Sequence, residues 1–298
     1  MCDAVTGTDR NNILRFLCKY VAILLVRYSE IGLKSTPVRA KFEKILKDNM
    51  LTMLMQDGVE AFVQKKGARY YVEASDTDKA IASLRKVFGI GSISVAETCS
   101  SDMDDICSTA AKYSVGRIAD NQSFAVDARR EGSQGYTSMD VGREAGSAIF
   151  IANEDKHPKV DLNNPDVTFY IEVRDNKAYI FMDYIRCHAG LPVGSQGKII
   201  ADITSDRGLV SAWLMMKRGC RALCKGDNDI ELLRKYDPYV KMVNEKNAKD
   251  ALGISMGLDL RDIASFDPSA YELPVFFPTI GMSDDEVAKY REIIEKGL

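Results

Sequence analysis

The chain has 298 residues, of which 46% are apolar and 28% are charged. This balance is typical of a globular protein and excludes a wholly disordered chain, while the length predicts two or three domains. The 40 basic and 43 acidic side chains leave a formal charge of −3, which excludes a polycation and limits any nucleic-acid surface to a local patch. Residues 1–100 hold 15 basic against 11 acidic residues, so the patch is expected in the first third.

The cysteine and histidine content restricts both cellular location and metal chemistry. Seven scattered cysteines in a chain without a secretory start predict reduced thiols in a cytoplasmic protein. The two histidines and the lack of a Cys-x-x-Cys pair exclude a His-rich metal site, so no metal is expected. The longest strongly apolar run, at 20–26, is too short to span a bilayer. Residues 1–20 lack a cleavage site for signal peptidase and are interpreted as a leader.

The first predicted domain, residues 21–98, has the β-α-β-β-α-β order of a ferredoxin-like fold. Its strands are indicated by short apolar runs, and its helices by apolar residues spaced three and four apart. The predicted elements are a strand at 21–26, a helix capped by Thr36, a hairpin with its loop at 65–69, a helix capped by Asp76 and a strand at 93–96.

A second α+β module is predicted at residues 99–198. Its predicted elements are a helix from Ser101 to Ile118, a strand at 124–128, a helix capped by Ser138, and strands at 167–173 and 178–185. The module closes at the glycine-rich segment 190–198, which does not have the spacing of a Walker phosphate loop and is interpreted as a flexible strap between domains.

The third region, residues 199–298, starts with the strand–loop–helix order that is typical of a parallel α/β sheet. A strand at 199–203 leads through a loop at 204–208 into a helix that reaches Arg218. Ser283 to Glu286 form a capping box for the last helix. About ninety residues after the loop are few for a complete nucleotide-binding domain, so a truncated Rossmann-like domain is expected.

Five segments in fixed order closely resemble the tRNA 4-thiouridine synthetase family, also called tRNA sulfurtransferase or ThiI. They are Arg27-Tyr-Ser-Glu-Ile-Gly-Leu-Lys34, Arg129-Arg130, Val160-Asp-Leu-Asn-Asn-Pro165, Gly190-Leu-Pro-Val-Gly-Ser-Gln-Gly-Lys198 and Trp213-Leu-Met-Met-Lys-Arg-Gly219. The resemblance implies that the ferredoxin-like domain and a THUMP domain at 99–198 hold the acceptor end of tRNA. It further implies that a PP-loop domain adenylates a uridine with ATP and that a persulfide cysteine delivers sulfur.

The third region departs from the family pattern where ATP should bind. The family loop is Ser-Gly-Gly-x-Asp-Ser, whereas this chain has Ile203-Thr-Ser-Asp-Arg-Gly-Leu-Val-Ser211. Both glycine positions carry side chains, which keep backbone amides away from a pyrophosphate, and Asp206 adds a repelling charge. We therefore interpret Thr204, Ser205, Asp206, Arg207 and Gly208 as a degenerate nucleotide loop. Arg207 and the helix N-terminus are expected to retain weak anion binding at most.

Several basic residues are candidates for RNA contact. A loop after the second-domain strand is expected to present Arg129 and Arg130 together, because a guanidinium binds two phosphate oxygens at once. Arg143 is either an RNA ligand or an ion-pair partner of Asp140 or Glu144, and Lys198 is either a phosphate ligand or a surface lysine. Between residues 27 and 69 nine basic residues face five acidic ones, which indicates a solvated helix face or a shared RNA groove. The candidates there are Lys34, Arg39, Lys65 and Lys66.

The remaining reactive residues predict no catalytic group. Cys220 and Cys224 match no sulfur-carrying cysteine of the family and are interpreted as idle thiols, and His188 has no partner for catalysis. The sequence therefore predicts a tRNA-binding protein of the 4-thiouridine and thiamine-biosynthesis families that does not adenylate its RNA and holds no cofactor. A separate sulfur donor or PP-loop protein would supply the chemistry, and a homodimer is left open. The alternatives are an active ATP-dependent tRNA sulfurtransferase and an oligomerisation scaffold without RNA affinity.

Overall fold

A computed structural model describes residues 22–226 and 229–297, so the predicted leader lies outside the described residues. The first domain contains β1 (Ile23–Tyr28), α1 (Thr36–Gln56), β2 (Ala61–Lys66), β3 (Arg69–Ala74), α2 (Thr77–Arg85) and β4 (Ile90–Ser100). Asp76 caps α2, as predicted, by accepting a hydrogen bond from the amide of Lys79. The cap of α1 is Ser35 and not Thr36. The strands pair in the order β2-β3-β1-β4, which confirms the ferredoxin-like fold.

The second domain contains α3 (Met103–Ser114), β5 (Ser123–Glu131), α4 (Ser138–Ala152), β6 (Lys159–Val160), β7 (Val167–Arg174), β8 (Lys177–Phe181) and β9 (Ile185–Arg186). Two predicted helix ends were wrong. Helix α3 stops at Ser114 and not at Ile118, since Gly116 takes a φ of 74° two residues later. Helix α4 is capped by Thr137 and not by Ser138, because Thr137 and Asp140 form a capping box.

The long strand β4 joins the first two domains into one sheet. Its first part pairs with β1, and residues Glu97 to Ser100 pair with β8 of the second domain. The nine-stranded sheet has the order β2-β3-β1-β4-β8-β7-β5-β6, with β9 added beside β4. The boundary predicted between residues 98 and 99 falls inside this strand. The two domains are therefore held in register by backbone hydrogen bonds.

A buried ion cluster reinforces this joint. Arg27 of β1 donates to the carboxylate of Glu172 in β7 at 2.8 Å and to the hydroxyl of Ser94 at 2.9 Å. Arg174 and Arg69 approach the same carboxylate at 3.2 and 3.5 Å. Burial alone would raise the pKa of Glu172, but the hydrogen bond and charge of Arg27 outweigh it and lower that pKa. The joint thus depends on one carboxylate shared by three guanidiniums.

The third region forms a separate five-stranded parallel sheet, as expected. It contains β10 (Lys198–Asp202), α5 (Asp206–Lys217), β11 (Arg221–Lys225), α6 (Ile230–Arg234), β12 (Lys241–Met242), α7 (Glu245–Ala248), β13 (Ala251–Ser255), β14 (Val275–Phe276) and α8 (Asp284–Lys296). The strand order is β12-β11-β10-β13-β14. Ser283 and Glu286 form the predicted capping box of α8. Helix α5 starts at Asp206, so Gly208 lies inside the helix and not in a loop.

The glycine-rich strap is not the flexible linker that the sequence predicted. The amides of Leu191, Gly194 and Gln196 donate to carbonyls of Lys217 and Gly219 at 2.9 to 3.0 Å. Gly190 has a φ of 80°, and a Cβ there would collide with the carbonyl of Lys217. The strap therefore binds the end of α5 through its backbone, and glycine at position 190 permits that close approach.

An aromatic cluster docks the third region onto the first domain. Phe88, which follows α2, lies 5.2 Å from Trp213 of α5 and 5.4 Å from Tyr236, measured between ring centroids. His188, which precedes the strap, packs 5.2 Å from the Trp213 ring. Phe88, Trp213 and Tyr236 are buried and belong to the core of the parallel sheet, and His188 is half-buried beside them. The third region is thus joined by side-chain packing, whereas the first two domains share a strand.

Candidate functional site

An open groove of about 830 Å³ lies between β5 and α4 in the second domain. Its lining is largely apolar, and several apolar side chains at its rim are exposed, with Met139 at 84% and Ile151 at 71%. The groove is lined by residues that include Val126, Ala128, Ser138, Met139, Gly142, Arg143, Gly146, Phe150, Ile151, Val160 and Leu162. Such an exposed apolar surface indicates a place where another molecule binds.

Two features of the backbone create this groove. Strand β6 pairs with β5 at Ser123 and Phe124 alone, so the outer edge of β5 beyond Phe124 faces the groove and no other described strand. Gly142 and Gly146 lie one helical turn apart on the face of α4 above Val126, where a Cβ would stand 3.7 to 3.8 Å from Val126 atoms. The missing side chains leave both apolar floor and backbone hydrogen-bonding groups accessible.

Sequence reasoning missed this groove. The signal was present in the spacing of Gly142 and Gly146, because two glycines four residues apart leave one helix face bare. The exposed flanking residues Met139 and Phe150 are apolar, which an ordinary solvated helix face would not require. Among the predicted RNA ligands, Arg143 lines this groove.

The pair Arg129 and Arg130 is not presented together as predicted. Strand β5 continues to Glu131, so the two neighbouring side chains point to opposite faces of the sheet. Arg129 is exposed and lies 3.5 Å from Asp127. Arg130 folds back and donates to the carbonyls of Gly132 at 2.7 Å and Gln134 at 3.3 Å. Arg129 therefore retains a free face for an anion, while Arg130 mainly orders the following loop.

The other two predicted contacts of the second and third regions are ion-paired. Arg143 pairs with Asp140 at 3.2 Å and with Glu144 at 3.1 Å, while its side chain stays 69% exposed. Lys198 is the first residue of β10 and pairs with Asp250 at 2.6 Å. Exposed pairs of this kind are weak, so either cation can exchange its partner for a phosphate.

The basic candidates of the first domain do not meet in one groove. Arg39 donates to the carbonyls of Gly32 at 2.5 Å and Lys34 at 3.3 Å, which fixes the loop after β1. Lys65 pairs with Glu43 at 3.0 Å, and Lys66 is exposed at the end of β2. Both lysines belong to β2, and the predicted loop at 65–69 is a tight turn at Gly67 and Ala68. Lys34 instead lines a different pocket, next to the third region.

The degenerate nucleotide loop is filled by the chain itself. Ser205 caps α5 and accepts a hydrogen bond from the amide of Gly208 at 3.1 Å, while Thr204 donates to Asp202 at 2.7 Å. The backbone of Gly257, after β13, lies so close that a Cβ there would collide with Arg207 and Gly208. The amide of Gly208, one of those that would face a phosphate, is therefore bonded to Ser205 and covered by a neighbouring segment.

Arg207 holds this arrangement through its contacts with the segment before α8, which we call the Arg207 lock. Its guanidinium donates to the carbonyls of Thr279 and Met282 at 3.1 and 2.9 Å and pairs with Asp284 at 2.5 Å. On the other side of the helix start, Arg291 approaches Asp206 at 3.6 Å. Arg207, which the sequence offered as an anion ligand, is thus engaged by the segment that precedes α8.

The cysteines within the described residues carry no thiol with a lowered pKa. Burial raises the pKa of every described cysteine, to about 12 for Cys187 and Cys224, and it also raises those of Cys99, Cys107 and Cys220. A thiol that stays protonated at neutral pH is a poor nucleophile. Among residues 22–226 and 229–297, no cluster of His, Cys, Asp and Glu side chains is arranged to hold a metal ion. The same residues contain no helix with the length and apolar content needed to cross a membrane.

Comparison with known proteins identifies both domains of the nine-stranded sheet. Residues 23–94 match the ThiI ferredoxin-like domain and residues 100–183 match the THUMP domain. A Methanosarcina mazei protein named "Probable tRNA sulfurtransferase" is 37% identical over 240 residues, which cover 78% of this chain and 57% of that protein. Its namesake from Methanosarcina acetivorans is 37% identical over 203 residues, 66% of this chain and 48% of that protein. The chain thus spans about half the length of these curated relatives.

Two solved structures share the fold. The crystal structure of PH1313 from Pyrococcus horikoshii matches with a TM-score of 0.77 and 26% identity, over 92% of this chain and 99% of that one. A 4-thiouridine synthetase in complex with RNA and bound ATP matches with a TM-score of 0.73 and 22% identity, over 93% and 86% of the two chains. With its ThiI ferredoxin-like domain directly followed by a THUMP domain, the chain belongs to the ThiI family.

Proposed function

We propose that this chain binds tRNA in the cytoplasm as the RNA-docking part of a tRNA thio-modification system. The observation that carries the proposal is the open apolar groove between β5 and α4, with a free strand edge and exposed arginines beside it. Proteins recognise RNA mainly at unpaired nucleotides, whose bases pack on apolar or aromatic surfaces and whose edges form hydrogen bonds. An unpaired end of a folded RNA fits the shape and chemistry of this groove.

The arginines around the groove supply the phosphate contacts. Arg143 lines the groove, and Arg129 lies on the same strand that forms its floor. Both arginines are paired with exposed carboxylates. Exchanging such a carboxylate for a phosphate costs little, because the released carboxylate is hydrated by water. The names of the curated relatives and the RNA in the related synthetase support the same ligand. Binding should weaken with salt, because phosphate contacts release counterions.

The proposal includes no adenylation of RNA by this chain itself. Adenylation needs a phosphate loop whose amides can approach the pyrophosphate. Here Ser205 and the backbone of Gly257 occupy the amide of Gly208, and the guanidinium of Arg207 is bonded to Asp284 and to two carbonyls. The described thiols are also protonated at neutral pH. A separate protein would therefore activate the uridine and deliver the sulfur, and this chain would present the tRNA to it.

The decisive experiment fills the groove without disturbing the fold. Gly146→Leu places a leucine over Val126, where a Cβ would stand in ordinary van der Waals contact, 3.8 Å from the Cγ2 atom of Val126. The variant should unfold at a higher temperature, because glycine costs about 1 kcal/mol relative to better helix formers. Its affinity for tRNA should fall about 30-fold, the equivalent of losing one stacked base, or about 2 kcal/mol.

The matched control is Ser108→Leu, which adds a leucine at an exposed helical position of the same domain outside the groove. Fluorescence anisotropy with a labelled tRNA, at two or more salt concentrations, measures both variants. The control should bind as the unchanged chain does. Normal binding by Gly146→Leu, or binding that does not change with salt, would show that the groove is not the RNA site.

A further inference from the structure

A second pocket, of about 340 Å³, lies between the first domain and the third region. Three of the family-like segments, which are far apart in the sequence, converge on it: Lys34 comes from segment 27–34, Gln196 from the strap, and Met215 and Arg218 from the end of α5. The groove that binds RNA in the proposed function does not include these residues. The pocket therefore needs its own explanation.

The floor of this pocket carries apolar side chains that core packing does not require. Leu252 is 64% exposed and Phe276 is 42% exposed, although both belong to the parallel sheet or its edge. Gly253 makes room for the aromatic ring, since a Cβ there would stand 2.5 Å from its Cε2 atom. Gly197, with a φ of 82°, makes room for Leu252 in the same way. Two glycines thus allow an aromatic and an aliphatic side chain to lie along the pocket wall.

The rim of the pocket is positively charged on the side of the first domain. Lys34 forms no ion pair with any described residue, and it faces the pocket. Arg218 lines the pocket with its side chain 60% exposed and pairs with Glu30 at 3.0 Å. Gln196 adds an amide that can both donate and accept hydrogen bonds. Cys220 lines the pocket as a protonated thiol.

We propose that this pocket binds a pyrimidine or purine nucleotide, separately from both the groove and the degenerate loop. The planar base would pack on Phe276 beside Leu252, because every base has a face that stacks on an aromatic ring. The phosphate would lie between Lys34 and Arg218, and Gln196 would contact the base edge. Glu30 pairs with Arg218 and would be replaced by the phosphate, an exchange that costs little because the ion pair is exposed. The proposal does not depend on tRNA binding in the groove.

The test titrates the full chain with uridine 5′-monophosphate by calorimetry, with uridine and inorganic phosphate as separate ligands. The nucleotide should bind saturably below about 5 mM, and more tightly than either part alone. Phe276→Ala and Lys34→Gln should each weaken it about fivefold or more, since one removes the stacking surface and the other a phosphate contact. Lys249→Gln is the matched control, because it removes an exposed lysine of the third region that does not line the pocket.

Thermal unfolding of each variant shows whether the fold persists. Neither substitution should shift the melting temperature greatly, because Phe276 is exposed and Lys34 is half-buried without an ion pair to a described residue. The proposal would be overturned if the folded chain bound no nucleotide, or if Phe276→Ala and Lys34→Gln bound the nucleotide as tightly as the unchanged chain does. The source of the nucleotide is decided by ultraviolet cross-linking of a bound tRNA. A cross-link in the peptide that holds Phe276 assigns the pocket to an RNA nucleotide, and its absence beside normal binding of the monophosphate assigns it to a free nucleotide.

Discussion

The THUMP groove and the start of α5 contrast in how a helix meets a parallel strand. In the groove, Gly142 and Gly146 leave the space above β5 open. At α5, Gly257 allows the chain's own backbone to pack against Arg207 and Gly208, and Arg207 fastens the segment before α8. Glycine thus opens one site and closes the other. Whether the start of a helix can accept a ligand therefore depends on the segments that pack around it.

The two joints of the molecule differ in a similar way. The first and second domains share β4 and bury Glu172 among three arginines. The third region is attached by the strap and by the cluster of Phe88, His188 and Trp213. One joint therefore depends on charge and the other on neutral ring packing, and each should respond to a different perturbation.

The largest effect is expected at the ionic joint. Glu172→Gln leaves three guanidiniums around a neutral amide and should lower the free energy of unfolding by about 3–5 kcal/mol. Glu131→Gln removes an exposed partner of Arg174 and should cost less than about 1 kcal/mol. Urea unfolding measures both. The pKa of Glu172 is lowered in the folded chain by Arg27. The ion cluster therefore stabilises the fold fully above the ordinary glutamate pKa of about 4.5, and this stabilisation is lost as the pH falls below that pKa. Equal losses in the two variants would contradict the role of the cluster.

The aromatic joint should be sensitive to mild acid. Burial, with Lys217 and Arg85 nearby, lowers the pKa of His188 from 6.5 to about 4. The unfolded chain therefore binds more protons between pH 6.5 and 4, so stability falls on acidification through this window. Between pH 7.5 and 5 the loss should be about 1–2 kcal/mol.

The histidine responsible for this loss can be identified, because the chain has two histidines. His188→Gln should flatten the dependence of the melting temperature on pH between 7.5 and 5, even if it lowers stability throughout. His157→Asn is the control, since His157 has a φ of 49° that asparagine also tolerates. An unchanged slope in His188→Gln would mean that another group senses the acid.

A smaller effect is expected at the rim of the open groove. Arg143→Ala removes two exposed ion pairs, so the free energy of unfolding should change by less than about 0.5 kcal/mol. Its affinity for tRNA should fall about three- to tenfold, as the loss of one charge-assisted contact implies. Arg261→Ala, an equally exposed and ion-paired arginine of the third region, should bind tRNA normally. Equal affinities in the two variants would remove Arg143 from the interface.

No gain of ATP chemistry is expected at the closed loop. Replacing Thr204 and Ser205 with glycine gives the loop two adjacent glycines, and it should cost only a few tenths of a kcal/mol at the helix cap. Release of pyrophosphate from ATP should stay at the level of a control without protein, with or without tRNA, because Gly257 and the Arg207 lock remain. Saturable release by either the unchanged chain or this variant would favour an active sulfurtransferase.

The sequence predicted most elements correctly because their signals are local. Asp76 and the pair Ser283 and Glu286 cap helices through contacts three residues apart. The wrong predictions concern residues whose hydrogen-bonding partner is far away in the sequence, or helix caps for which the adjacent residue is an equally good candidate. The strap seemed to be a flexible linker by composition, yet its amides bond to Lys217 and Gly219. Arg129 and Arg130 were expected to act together, but the strand continues three residues further than predicted, to Glu131, and sends them to opposite faces.

The sequence by itself determined the order of the elements and the ferredoxin-like and THUMP domains, and it predicted a degenerate nucleotide loop between Ile203 and Ser211. Each follows from short-range spacing, capping or a local motif. The tertiary structure alone decided that the groove is open, that the loop is closed, and that Lys34 and Phe276 line one pocket. These features depend on contacts between residues far apart in the chain, such as Arg207 and Asp284, 77 positions apart. Local sequence carries no information on such distances, because they are set by how sheets and helices pack together.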